Sequence, residues 1–116
     1  MDFTIEKETL LSALTTLSKI NPTRTTLPIL STVLIKTTDT ENITLRSTDL
    51  EVELEIEVNA KVLELGETCA PIYKLLEISN TITEPTVSIN VNETQRMRIK
   101  TSTGKYLLMC NKTEEF

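Results

Sequence analysis

Residues 49–58, DLEVELEIEV, alternate without a fault: Val52, Leu54, Ile56 and Val58 fall on one side, Glu51, Glu53, Glu55 and Glu57 on the other. Successive side chains of a strand point to opposite faces, so this run predicts a strand with one buried face and one wet, strongly acidic face. A chain that carries it must supply a covering layer for the apolar side.

Two segments supply that layer. Residues 7–18, KETLLSALTTLS, place Leu10, Leu11, Leu14 and Leu17 at helical spacing, and Pro22 in NPT stops the helix. Pro71 fits a first helical turn, and PIYKLLEISNTI carries Ile72, Leu75 and Leu76 on a second stripe. The remaining runs are strand-like: DFTIE with Phe3 and Ile5 inward, ILSTVLIKT at 29–37, ITLRS at 43–47 after a turn at 38–42, ETCA at 67–70, and then 86–91, 96–101 and 105–110. Each half reads β-α-β-β-β. The expected fold is α+β, one domain over 1–116, in which two such units join and two helices lie side by side against antiparallel sheets.

Chemistry is hard to find. The chain has no histidine, no GxSxG, no phosphate loop and no HExxH. The glutamates of 51–57 sit along one open strand face, where nothing raises a single carboxyl selectively. Cys69 and Cys110 are far apart with no CxxC, which points to buried free thiols and away from a zinc site. No cofactor and no metal is expected. No apolar run reaches the ~20 residues of a membrane span, and MDFTIEKETL has neither a basic n-region nor an apolar h-region. The N-x-T triplets at Asn42, Asn92 and Asn111 are then chance matches in a threonine-rich chain.

A net charge of −5 excludes a uniformly basic nucleic-acid binder, so any such contact must use a small face. The polar helix faces offer Lys7, Ser12, Thr16 and Lys19 from the first helix and Tyr73, Lys74 and Glu77 from the second. The expected layout is two-faced: mildly basic helices and strongly acidic strands.

TRTTLPIL at 23–30, preceded by FTIEKETLLSAL and followed by STDLEVELEIEV and APIYKLLEI, resembles the first domain of the bacterial sliding clamps, the beta subunits of DNA polymerase III. The resemblance covers the whole chain in order. It implies a DNA-clamp domain, the first of three, cut from a longer chain that closes head to tail as a homodimeric ring around duplex DNA. Such a ring tethers the replicative polymerase and performs no catalysis; polymerase and clamp loader meet the full-length protein, in the cytoplasm. Small polar and basic groups facing the hole would touch phosphates in any register, and an acidic outside would repel DNA elsewhere.

Residue by residue, the resemblance puts Arg24 at a DNA-contacting arginine in the loop after the first helix, with Lys19 and Tyr73 on the same DNA-facing side. Tyr73 stands where the family often has a basic residue. Tyr106 falls at an aromatic position of the subunit contact, with Lys74 near it. An isolated domain has half an interface and is expected to be a monomer. The alternative reading is a stand-alone protein-interaction module on a clamp-like scaffold, adding a partner strand at an exposed sheet edge.

Overall fold

The computed structural model describes residues 1–21 and 27–113. In chain order the elements are β1 (Asp2–Glu6), α1 (Lys7–Ser18), a short 3-10 helix (Pro28–Ser31), β2 (Thr32–Thr37), β3 (Asn42–Thr48), β4 (Glu53–Asn59), β5 (Lys61–Glu64), β6 (Glu67–Pro71), α2 (Ile72–Thr81), β7 (Thr86–Val91), β8 (Arg96–Lys100) and β9 (Lys105–Met109). Two β-α-β-β-β units are present as expected, with one added strand, β5, between them.

The two units are stitched by strand exchange. One sheet runs β5-β1-β7-β8-β9, the other β4-β3-β2-β6, and every pairing is antiparallel. β1, from the first unit, therefore lies in the sheet of the second, and β6, from the second, in the sheet of the first. Between the sheets and the helix pair sits one continuous core: Phe3, Ile5, Ile89 and Met97 from one sheet, Ile35, Ile43 and Leu45 from the other, Leu10, Leu14 and Leu17 from α1, and Ile72 and Leu75 from α2. Each half would leave its apolar faces open without the other.

Three local readings need correction. Strand 29–37 begins only at Thr32, because Pro28 opens a 3-10 turn in which Leu30 N donates to Leu27 O at 3.1 Å and Thr32 Oγ1 to Ile29 O at 2.9 Å. The alternating strand begins at Glu53, and Val52 is exposed. Asp49 is the cause: its Oδ1 accepts the amides of Val52 at 2.6 Å and Glu51 at 2.9 Å, closing a turn with Leu50 at φ 81°. Those amide bonds, Val52 first, hold the Asp49 carboxyl below the usual carboxylate range. Finally, β5 was not anticipated. It is four residues long and its register against β1 is irregular, so it carries little period-two signal.

Gly66, between β5 and β6, sits against the start of the chain. A Cβ there would lie 2.8 Å from Met1 Cβ and 3.1 Å from Met1 N. That nitrogen cannot drift freely: its ammonium donates to Glu64 Oε1 at 2.9 Å and to Val91 O at 3.2 Å. Gly66→Ala is therefore expected to destabilise by about 1–3 kcal/mol, read as a lower urea midpoint. An unchanged midpoint would mean that the Met1 end yields at no cost.

Candidate functional site

The polar ends of the two helices meet around the last turn of α1. The final carbonyls of a helix lack intrahelical partners and need donors from elsewhere. Here Ser47 Oγ, buried, donates to Leu17 O at 3.2 Å, and Ile20 N donates to the same oxygen at 3.0 Å. The Tyr73 hydroxyl, reaching across from α2, donates toward Asn21 O at 2.7 Å and Ser18 O at 3.1 Å. Asn21 itself is buried, and its Nδ2 donates to Leu30 O at 2.8 Å and Thr32 O at 3.1 Å. One amide thus clamps the end of α1 to the entry of β2.

Lys19 is exposed within this arrangement, at the C-cap of α1 between the two carbonyls that Tyr73 engages. A cation is favoured there by the partial negative charge of the helix end. Tyr73 is half-buried, and its single proton is already shared between backbone oxygens. It has none left for an outside acceptor unless those bonds open. Arg24 lies outside the described residues.

Sequence reasoning missed Asn21 and Ser47. NPT had read only as a helix stop. Nothing local in the sequence says that an asparagine before a proline will reach the carbonyls at positions 30 and 32.

A second group begins at Lys74, on the face of α2 next to that of Tyr73. Lys74, Ile78 and Thr81 are spaced i, i+4 and i+7, a stripe about 10 Å long on α2. Thr81 Oγ1 and Tyr106 Oη are hydrogen-bonded at 2.8 Å, which fixes the aromatic ring of β9 at the end of that stripe. Lys74 is exposed and Tyr106 is 37% exposed. Thr81 thus links the far end of the Lys74 stripe to Tyr106, while Tyr73, the residue before Lys74, turns toward the end of α1.

Charge is distributed otherwise than the sequence led one to expect. The outer face of the four-stranded sheet is acidic along β4, and Arg46 of β3 tempers it, at 2.8 Å from Glu55 and 3.6 Å from Glu53. The five-stranded sheet is basic outside along its β8–β9 side: Arg96, Arg98 and Lys100 alternate with the buried Met97 and Ile99 on β8, and Lys105 of β9 pairs with Lys100. Lys7, expected on the open helix face, is largely covered and lies 3.9 Å from Glu8. Neither thiol is poised for nucleophilic work. Burial pushes Cys69 up to about 11, with Cys110 beside it adding to the effect, and burial pushes Cys110 to about 11 as well. No helix among the described residues is long and apolar enough to cross a membrane.

A family model described as DNA polymerase III beta subunit, N-terminal domain, matches residues 1–116. The beta sliding clamp of Pseudomonas putida is 33% identical over 118 residues, an alignment that takes 100% of this chain and spans 32% of that relative's length. A beta sliding clamp sequence from Vibrio harveyi is 31% identical over 117 residues, again across the whole chain, which covers 80% of that relative. Among solved structures, the DNA polymerase III subunit beta of Pseudomonas aeruginosa matches with a TM-score of 0.91 at 33% identity, covering 100% of this chain and 31% of that one.

Proposed function

We propose, from the premise that the chain belongs to the DNA polymerase III beta subunit family as its N-terminal domain, that it is one segment of a non-catalytic ring that slides on duplex DNA and tethers the replicative polymerase in the cytoplasm. The whole-length family match carries this reading. The exposed Ser12, Thr16 and Lys19 on α1 support it, because short polar groups and a cation let phosphates pass without fixing a register.

Within that reading Arg24 and Lys19 contact phosphates. The engaged hydroxyl of Tyr73 favours a positioning role, holding the backbone from which the 22–26 segment leaves, over direct contact. Tyr106 and Lys74 belong to the subunit contact of a head-to-tail dimer of the longer chain. Polymerase and clamp loader bind the complete protein.

An NMR titration of the 116-residue chain with a short duplex at low salt tests the DNA face. Expected are shifts centred on Lys19 and the segment after it, retreating as salt rises. In Arg24→Ala, binding weakens several-fold and the log–log salt slope becomes shallower by about one unit. Shifts confined to β4 or β9, or none at all, would reject this face and favour the stand-alone interaction module.

A further inference from the structure

We propose that the outer face of the five-stranded sheet binds the phosphate backbone of a single nucleic-acid strand, independently of the DNA face at the end of α1. Alternation sets this face. Met97 and Ile99 of β8 are buried, so Arg96, Arg98 and Lys100 point outward at a pitch of ~6.8 Å. Strand pairing extends them into two rows across the sheet. One runs from Asp2 through Asn90 to Arg98, the other from Thr4 through Ser88 and Lys100 to Lys105.

Left alone, this arrangement is unfavourable. Like charges directly opposite one another repel, as Lys100 and Lys105 do. None of Arg96, Arg98, Lys100 and Lys105 has a carboxylate within ion-pair distance among the described residues. That holds in a chain with 17 acidic side chains to 12 basic ones. Glu84, which reaches the β8–β9 turn, is engaged instead by Ser102 N at 2.8 Å. An outside anion is the partner that these cations lack.

Beside the cations lies an open cleft of about 340 Å³, with Arg98 and Lys100 on its β8 side. Thr4, Ser88 and Asn90 line it, and no side-chain hydrogen bond engages them among the described residues. Hydroxyls, an amide and cations together make a set of donors, and phosphate and sugar oxygens can accept from every member. Asp2, at the β1 end of its row, keeps an anion on the β8 side.

The pitch favours a polymer over a lone anion. It is twice the ~3.4 Å of axis between successive charges of one nucleic-acid strand, so a strand laid along β8 meets a cation at about every second phosphate. The cations form one line, and Asp2 and Glu64, paired across β1 and β5, flank it on the far side. That leaves room for one backbone rather than two. A protein partner would need an apolar anchor, and the cleft is lined by hydroxyls and an amide. Leu107 and Met109 are exposed nearby, but they lie on β9, the strand of the subunit contact proposed above. No aromatic side chain among the described residues faces outward here, so bases find no stacking partner. Binding is therefore weak, sequence-independent and strongly salt-dependent.

Fluorescence anisotropy of the 116-residue chain with a labelled single-stranded oligothymidylate, across a series of salt concentrations, tests it. NMR shifts locate the site. The expected result is binding that weakens steeply as salt rises, with shifts at Ser88, Asn90, Arg98 and Lys100. Arg98→Gln combined with Lys100→Gln should weaken it about tenfold and make the log–log salt slope shallower by about 1.4, at ~0.7 for each lost phosphate contact. Arg24→Ala should leave it unchanged. Duplex-induced shifts around Lys19 should persist in the double variant, which shows that it is folded and separates this face from the one proposed above. Single-strand binding that follows Arg24 instead, or a salt slope indifferent to the double variant, would overturn the proposal. So would a poly-glutamate peptide that binds this face more tightly than the oligothymidylate at equal salt, which would mark an acidic protein as the partner.

Discussion

Phe3→Ala is expected to remove about 3–5 kcal/mol of stability, a large part of the roughly 5–15 kcal/mol that holds a domain together. Phe3 is fully buried on β1, opposite Val62 of β5 and Ile89 of β7. Among the described residues no other aromatic side chain is fully buried. Its truncation leaves a void, and the backbone around it is pinned by strands on both sides, so the site cannot collapse to fill it. The effect reaches past one side chain, because β1 is the strand that the first unit lends to the sheet of the second. Urea denaturation should show a lower midpoint with the slope unchanged. Leu107→Ala, at an exposed position, should stay within about 0.5 kcal/mol of the parent. A loss at Phe3 as small as that of Leu107 would mean that the strand exchange does not hold the halves together.

Asn21→Ala should cost about 2–4 kcal/mol, since it strips the amide from two buried carbonyls at once. Leu30 O and Thr32 O have Asn21 Nδ2 at 2.8 Å and 3.1 Å, and water has little access at a residue only 4% exposed. The same side chain ties the end of α1 to the start of β2, across the 22–26 segment that carries Arg24. Loss of stability should therefore come with faster amide hydrogen exchange at Ile20, Leu30 and Thr32, while β7 to β9 remain protected until global unfolding. Asn21→Asp restores the shape but replaces a donor with an acceptor, and should be no better than alanine. Uniform acceleration of exchange throughout the chain, without a local excess at these positions, would reject the clamp role.

Much of the architecture was legible because it rests on local periodicity. The α1 boundaries fall at Lys7–Ser18 as read, and its stripe of Leu10, Leu14 and Leu17 is buried. Glu53, Glu55 and Glu57 point outward and Leu54, Ile56 and Val58 inward, as their alternation requires. Where a single side chain competes with the periodic pattern, the pattern misleads. Asp49 takes Val52 out of a strand it fits perfectly, because two amide bonds to one carboxylate outweigh one more residue of edge pairing.

The candidate site was legible in part. Lys74 and Tyr106 were assigned to one surface by resemblance; the Thr81–Tyr106 bond ties β9 to the end of α2, and Lys74 lies seven residues back along that helix. Tyr73 was assigned to the DNA-facing side, and its hydroxyl engages two carbonyls at the end of α1. Asn21 and Ser47 went unread, because their partners lie 9 to 30 positions away.

The sequence by itself determined which segments are helix or strand and which of their faces turn inward, since a residue's neighbours at i+2, i+3 and i+4 settle both. Only the tertiary structure decided which strands share a sheet, where the basic and acidic edges lie, and which hydroxyls and amides close the helix ends. Those depend on partners brought together from both halves of the chain: β1 beside β7, β6 beside β2, Tyr73 on Ser18 and Asn21. Pairing of that kind has no period to read, and its energy exists only once the chain has folded.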